Sequence, residues 1–168
     1  MYEEQFMKRA IEISAESLTT PGTQPFGAVV VKDGKIVGEG INRSAMNHDP
    51  TSHGETEAIR DAARNLGTVD LRGTVLYSSC EPCPLCVSAM LIAGVSELYY
   101  AADMDQAGAA LGKLSEDSRF PIDVDHMRSQ CGLPAAARTM TSAQHCDVQA
   151  SDILHAWADQ SRSAASSA

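Results

Sequence analysis

Ser52-His53-Gly54-Glu55-Thr56-Glu57-Ala58-Ile59, read together with Ser79-Cys80-Glu81-Pro82-Cys83-Pro84-Leu85-Cys86, decides how the rest of the chain is organised. Histidine and cysteine supply the nitrogen and sulfur donors that zinc takes, and His53 with Cys83 and Cys86 makes three protein ligands. Three ligands leave a fourth tetrahedral position for water, which is the arrangement of a catalytic zinc site. Cys83 and Cys86 stand three apart, so in the first turn of a helix both sulfurs face one way near the positive end of the helix dipole. Both features favour thiolates beside a cation.

Other readings of the same residues stay open. Cys80 could join Cys83, Cys86 and His53 in a closed Cys3His structural site that has no room for water. As a residue at the end of a strand, ahead of the helical turn, Cys80 reads instead as buried core. Ser52-His53-Gly54-Glu55 also fits a capping box, in which Glu55 satisfies a backbone N–H. Residues two apart do not share a helix face, so His53 and Glu55 reach one metal only from an irregular helix entrance. The Asp49-Pro50 turn and Gly54 make such an entrance available.

Working outward, His53 to Leu66 carries Ala58, Ile59, Ala62, Ala63 and Leu66 on one helical face, with Gly67 as a stop. Cys83 to Ala93 predicts a second core helix between Pro82 and Gly94, and Thr74–Ser78 and Leu98–Ala101 predict strands on either side of it. Upstream, Phe26–Val31 and Lys35–Gly38 flank Asp33-Gly34, a hairpin turn signal. Phe6, Met7, Ala10, Ile11 and Leu18 recur at helical spacing, giving an amphipathic helix that ends at Thr20-Pro21-Gly22 and packs on a sheet. Strands alternating with helices predict a layered α/β fold. Beyond Ala101, Asp103–Leu114 and Asp123–Cys131 read as helices, and Ile153–Trp157 falls in a last one. One domain is expected over residues 1–160, with a core over about 1–114 and a C-terminal helical lid region over about 115–160. The Ser/Ala-rich residues 161–168 read as a disordered tail.

Composition narrows the function. A net charge of −9 without a Lys/Arg cluster argues against nucleic acid, because neutralising phosphates needs clustered cations. A small neutral substrate fits better. There is no apolar leader or membrane-length apolar run, so the chain is expected in the cytoplasm and away from membranes. Five cysteines, three of them within Cys80–Cys86 at metal-ligand spacing, suit a reducing compartment rather than a disulfide scaffold. His48, His126, His145 and His155 are scattered among polar residues and read as surface. Asn42 is either a turn residue or an amide whose donor and acceptor both point into a pocket.

A histidine with a glutamate two positions on, followed by Pro-Cys-x-x-Cys, is the signature of zinc-dependent nucleobase deaminases. With these residues the chain resembles the cytidine deaminase superfamily, and within it the bacterial guanine deaminases. The likeness runs from about Phe6 to Ala102 through Pro25–Val31, Lys32-Asp33-Gly34, Asn42, Asp49-Pro50-Thr51, His53-x-Glu55, Ala58-Ile59-Arg60 and Ser79–Cys86. The resemblance implies a three-layer α/β/α fold whose mixed sheet is flanked by helices, with zinc at the N-termini of two of them, and a homodimer. It implies that His53, Cys83 and Cys86 bind zinc and that Glu55 shuttles protons. It further implies that Asn42 and the Gly54 backbone hold the base and that Phe26 stacks on it. The expected reaction is hydrolytic deamination of guanine or a related purine, releasing ammonia. Cytosine, isocytosine or a nucleoside is the alternative, ahead of a tRNA adenosine deaminase or a non-catalytic zinc-binding module. Three departures mark this chain: His-Gly-Glu is similar to fungal cytosine deaminases, Ile92 replaces an aromatic that sandwiches the purine, and the segment from Asp103 to Asp147 does not follow the guanine deaminase pattern. Ser-Ala residues stand in place of a terminal aromatic, and Trp157 is the only echo of the C-terminal lid.

Overall fold

Ala28, Val29, Val30 and Val31 are all buried, because the strand that carries them is covered on both faces. In the computed structural model, which describes residues 1–115 and 122–165, that strand is β1 (Gln24–Lys32). Along the chain the elements run α1 (Glu4–Ala15), β1, β2 (Lys35–Asn42), α2 (Ser44–Asn47), α3 (Gly54–Leu66) and β3 (Val75–Cys80). They continue with α4 (Pro84–Ala93), β4 (Glu97–Ala102), α5 (Met104–Leu111), α6 (Val124–Cys131) and α7 (Asp147–Ala165). The sheet order is β2-β1-β3-β4; β1 is antiparallel to both neighbours, while β3 and β4 are parallel and joined across α4. The sheet is therefore mixed, as expected. Asp33 and Gly34 both take positive φ, 50° and 71°, as a tight hairpin turn between twisted strands requires.

The period of two along β1 sorts the layers. Val29 and Val31, with Ile41 and Tyr77, face Phe6, Met7, Ala10 and Ile13 of α1. Ala28 and Val30, with Leu76, face Ala58 and Ala62 of α3 and Cys86, Met90 and Ala93 of α4. Helix, sheet and helices thus form the three layers. The buried stripe of α1 uses Ile13 where Ile11 and Leu18 were expected; those two are exposed, and Leu18 falls in a 3₁₀ turn after α1 has ended. Glycines in β2 let α3 approach as backbone on backbone: a Cβ on Gly40 would stand 2.3 Å from the Gly54 carbonyl oxygen, and one on Gly38 would stand 2.4 Å from that of Ala58. This contact sets the N-terminus of α3 against the end of β2.

The chain divides into two compact units, Met1–Val124 and Asp125–Ala168, where one domain over residues 1–160 with a core ending near 114 was expected. The first unit holds the sheet and its layers. In the second, none of the described residues is buried, and the loop after α6 is tied back to it by Thr139 N–H donating to Gln130 Oε1 at 2.7 Å. Helix α7 runs through Ala165, into the Ser/Ala-rich residues where a tail from 161 onward was expected. Alanine is the best helix former, and Arg162 pairs one turn back with Asp159. Residues 116–121 of the expected lid region and 166–168 of the tail lie outside the described residues. Among the described residues no helix is long and apolar enough to cross a membrane.

Candidate metal centre and active site

His53 is the residue just before α3, in extended backbone (φ −79°, ψ 158°), and its imidazole does not cap the helix. Cys83 occupies the same position before α4, with Pro84 opening that helix and Cys86 in its first turn. The two helix entrances meet. Nδ1 of His53 lies 3.5 Å from each sulfur, and the sulfurs lie 3.7 Å apart. Tetrahedral zinc with bonds of about 2.3 Å to sulfur and 2.0 Å to nitrogen holds its ligands roughly 3.8 Å (S–S) and 3.5 Å (S–N) apart. The donor set and its spacing therefore fit zinc. Among the described residues the metal-ligating side chains gathered here are these three; Cys80, buried at the end of β3, is outside the group.

Glu55 sits one residue inside α3, and only 5% of it is exposed. Its Oε1 accepts from Ser78 Oγ at 3.4 Å and its Oε2 accepts from Cys86 Sγ at 3.3 Å. The capping-box reading does not hold: His53, not Ser52, precedes the helix, and Ser52 Oγ donates to Glu57 Oε1 at 2.9 Å. Burial pushes the Glu55 carboxyl up from its ordinary range, against the pull of its own backbone N–H and the Cys86 thiol. The two sulfurs are pushed in opposite directions. The Cys86 hydrogen bond brings Cys83 down to about 4, while Cys86 itself is pushed up by the Cys83 sulfur, by burial and by Glu55. A cation among the three ligands would resolve that conflict by letting both cysteines ionise, and it would also draw Glu55 back down.

Asn42, at the end of β2 and 3% exposed, shares a face with Gly40 and so points toward the entrance of α3. Its Oδ1 accepts from the backbone N–H of Ser44 at 3.0 Å and from Ser44 Oγ at 2.8 Å. These contacts make the side chain a turn residue. A backbone N–H can only donate, so the oxygen is committed to Ser44, and the amide offers a pocket its NH2 group rather than the expected donor and acceptor. Phe26 lies in an irregular part of the β1–β2 register, between Gln24 and Gly27, and its carbonyl oxygen would stand 2.4 Å from a Cβ on Gly54. Glycine at 54 is therefore required by packing.

Ile92 is 88% exposed, because α4 buries Cys86, Met90 and Ala93 on the opposite side. It does not line this cluster. Trp157 is exposed on α7, and His48, His126, His145 and His155 are at the surface as expected. Ser78 escaped the sequence reading, which took Thr74–Ser78 as a plain apolar strand. A signal was present: Ser78 shares the face of Leu76, so it is a polar residue on a core face.

Residues 1–102 match the cytidine and deoxycytidylate deaminase zinc-binding region. The chain is 44% identical to a guanine deaminase of Bacillus subtilis over 141 residues, covering 84% of this chain and 88% of that protein. An X-ray structure of guanine deaminase from Bacillus subtilis superposes with a TM-score of 0.80 at 35% identity, covering 95% of each chain. A tRNA-specific adenosine deaminase of Buchnera aphidicola is 40% identical over 100 residues, 60% of this chain and 61% of that protein. The matched region spans both helix entrances that bring His53, Cys83 and Cys86 together, and on these grounds the chain belongs to the cytidine and deoxycytidylate deaminase family.

Proposed function

We propose that this chain hydrolyses the amino group of guanine or a closely related purine, giving the oxo product and ammonia. The observation that carries the reading is the buried Glu55 carboxylate, 3.3 Å from Cys86 Sγ and beside a three-ligand cluster. His53, Cys83 and Cys86 hold the zinc, which when bound supplies a water activated near neutral pH. Glu55 takes a proton from the attacking water, passes it to the ring nitrogen beside the carbon under attack, and then protonates the departing amine. Ser78 keeps the carboxylate aimed. The NH2 group of Asn42 and the N–H of Gly54, the first residue of α3, hold acceptor atoms of the base, and Phe26 stacks on its face.

The packing requirement at Gly54 weakens the case for cytosine that His-Gly-Glu had raised, since Phe26 rather than the ligand accounts for the glycine. The tRNA reading is opposed by the net charge of −9. Three cysteines at metal-ligand spacing suit a reducing compartment, which supports the cytoplasm. Exposed Leu91 and Ile92 on α4 support a homodimer, which light scattering would show as about twice the 17.8 kDa chain mass. The function is tested by incubating the zinc-loaded protein with guanine, cytosine, isocytosine, guanosine and cytidine while following ammonia. Guanine should release it fastest; a faster release from cytosine or a nucleoside, or none from any, overturns the reading.

A further inference from the structure

The segment between Asn42 and α3 carries the His53 imidazole, and its polar side chains converge on one carboxylate. Ser52, fully buried, donates from Oγ to Oε1 of Glu57 at 2.9 Å and accepts from Nδ2 of Asn47 at 3.1 Å. Arg60, one turn further along α3, donates to the same Oε1, and through Nη2 to Oγ1 of Thr51 at 3.1 Å. The backbone is fastened at the same place. Arg43 N–H donates to the Ser52 carbonyl at 2.9 Å, and Thr56 Oγ1 donates to the carbonyls of Thr51 at 2.6 Å and His53 at 2.9 Å. Glu57 thereby joins α2, the segment before His53, and the second turn of α3.

We propose that Glu57, gripped by Arg60, is a positioning residue for His53: by seating Ser52 it fixes where the imidazole enters the zinc cluster. The inference rests on His53 being a zinc ligand. With only three protein ligands, placement of each one matters, and groups that orient a ligand are typically worth about 10–100-fold in metal affinity. A purely structural Glu57 would act differently. Its pair with Arg60 is partly exposed, with 16% and 42% of the side chains accessible, and such pairs add little to folding.

The test uses the full-length, zinc-loaded protein and follows zinc release to excess chelator, alongside thermal unfolding of the zinc-free form. Glu57→Ala should release zinc about 10–100-fold faster than wild type, while Glu57→Gln, which keeps an oxygen for Ser52 and loses the same ion pair, should stay within about threefold. Ser52→Ala, which leaves Glu57 and Arg60 in place but cuts the tether, should release zinc as fast as Glu57→Ala, and it carries the test if that variant does not fold. The proposal is overturned if Glu57→Ala and Ser52→Ala release zinc at the wild-type rate. It is also overturned if Glu57→Ala and Glu57→Gln release zinc equally fast. If His53→Ala holds zinc as tightly as wild type, the ligand assignment fails instead, and this is distinguishable because that variant does not touch Glu57.

Discussion

Replacing Glu55 with glutamine should slow ammonia release from guanine by about 10²–10⁴-fold while zinc content stays at the wild-type level. The amide has the same shape as the carboxyl, and its oxygen can still accept from Ser78 Oγ, so the local packing is kept. What is lost is the ability to take and return a proton. Burial raises the proton affinity of the native side chain, and a cation on the neighbouring ligands would pull it back, so the two effects oppose each other at the group that must both take and return the proton. Steady-state ammonia assays with zinc quantified in the same samples make the measurement. A zinc-replete Glu55→Gln protein turning over at the original rate would remove Glu55 from the mechanism.

The second large effect separates two cysteines that look alike in the sequence. Cys86→Ala leaves two ligands, so zinc content and activity should both fall to background. Stability should drop as well, because an ion bound only by the folded state at 100 times its Kd contributes about 2.7 kcal/mol. Cys80→Ala should keep both zinc and activity. Cys80 is buried but outside the ligand group, and losing its sulfur from the core should cost only about 1 kcal/mol. Metal analysis and denaturant unfolding on the two variants decide the matter; equal zinc loss from both would restore the closed Cys3His site.

Much of the fold and of the metal cluster was legible because the relevant signals are local. Cys83-Pro84-x-Cys86 specifies its own helix entrance, and the unbroken apolar run of β1 announces burial on both faces. His53 and Glu55 could be joined because the Asp49-Pro50 turn suggested the extended backbone that His53 adopts. What escaped depends on contacts between segments. The commitment of Asn42 Oδ1 to Ser44, the Ser52–Glu57 tether and the approach of the Phe26 carbonyl to Gly54 all arise only when β2, α3 and β1 are assembled. A motif comparison took Gly54 as a sign of a different substrate, whereas backbone packing explains it. The Ser/Ala composition after residue 160 carries no apolar periodicity to mark a helix, and α7 runs through Ala165 on a composition in which alanine is a strong helix former.

The most direct test is X-ray absorption at the zinc edge of the zinc-loaded wild-type protein. The account expects two sulfur ligands at about 2.3 Å and two lighter atoms at about 2.0 Å, one of them exchangeable with small added anions. A shell of three sulfurs and one nitrogen that no added ligand perturbs would contradict it.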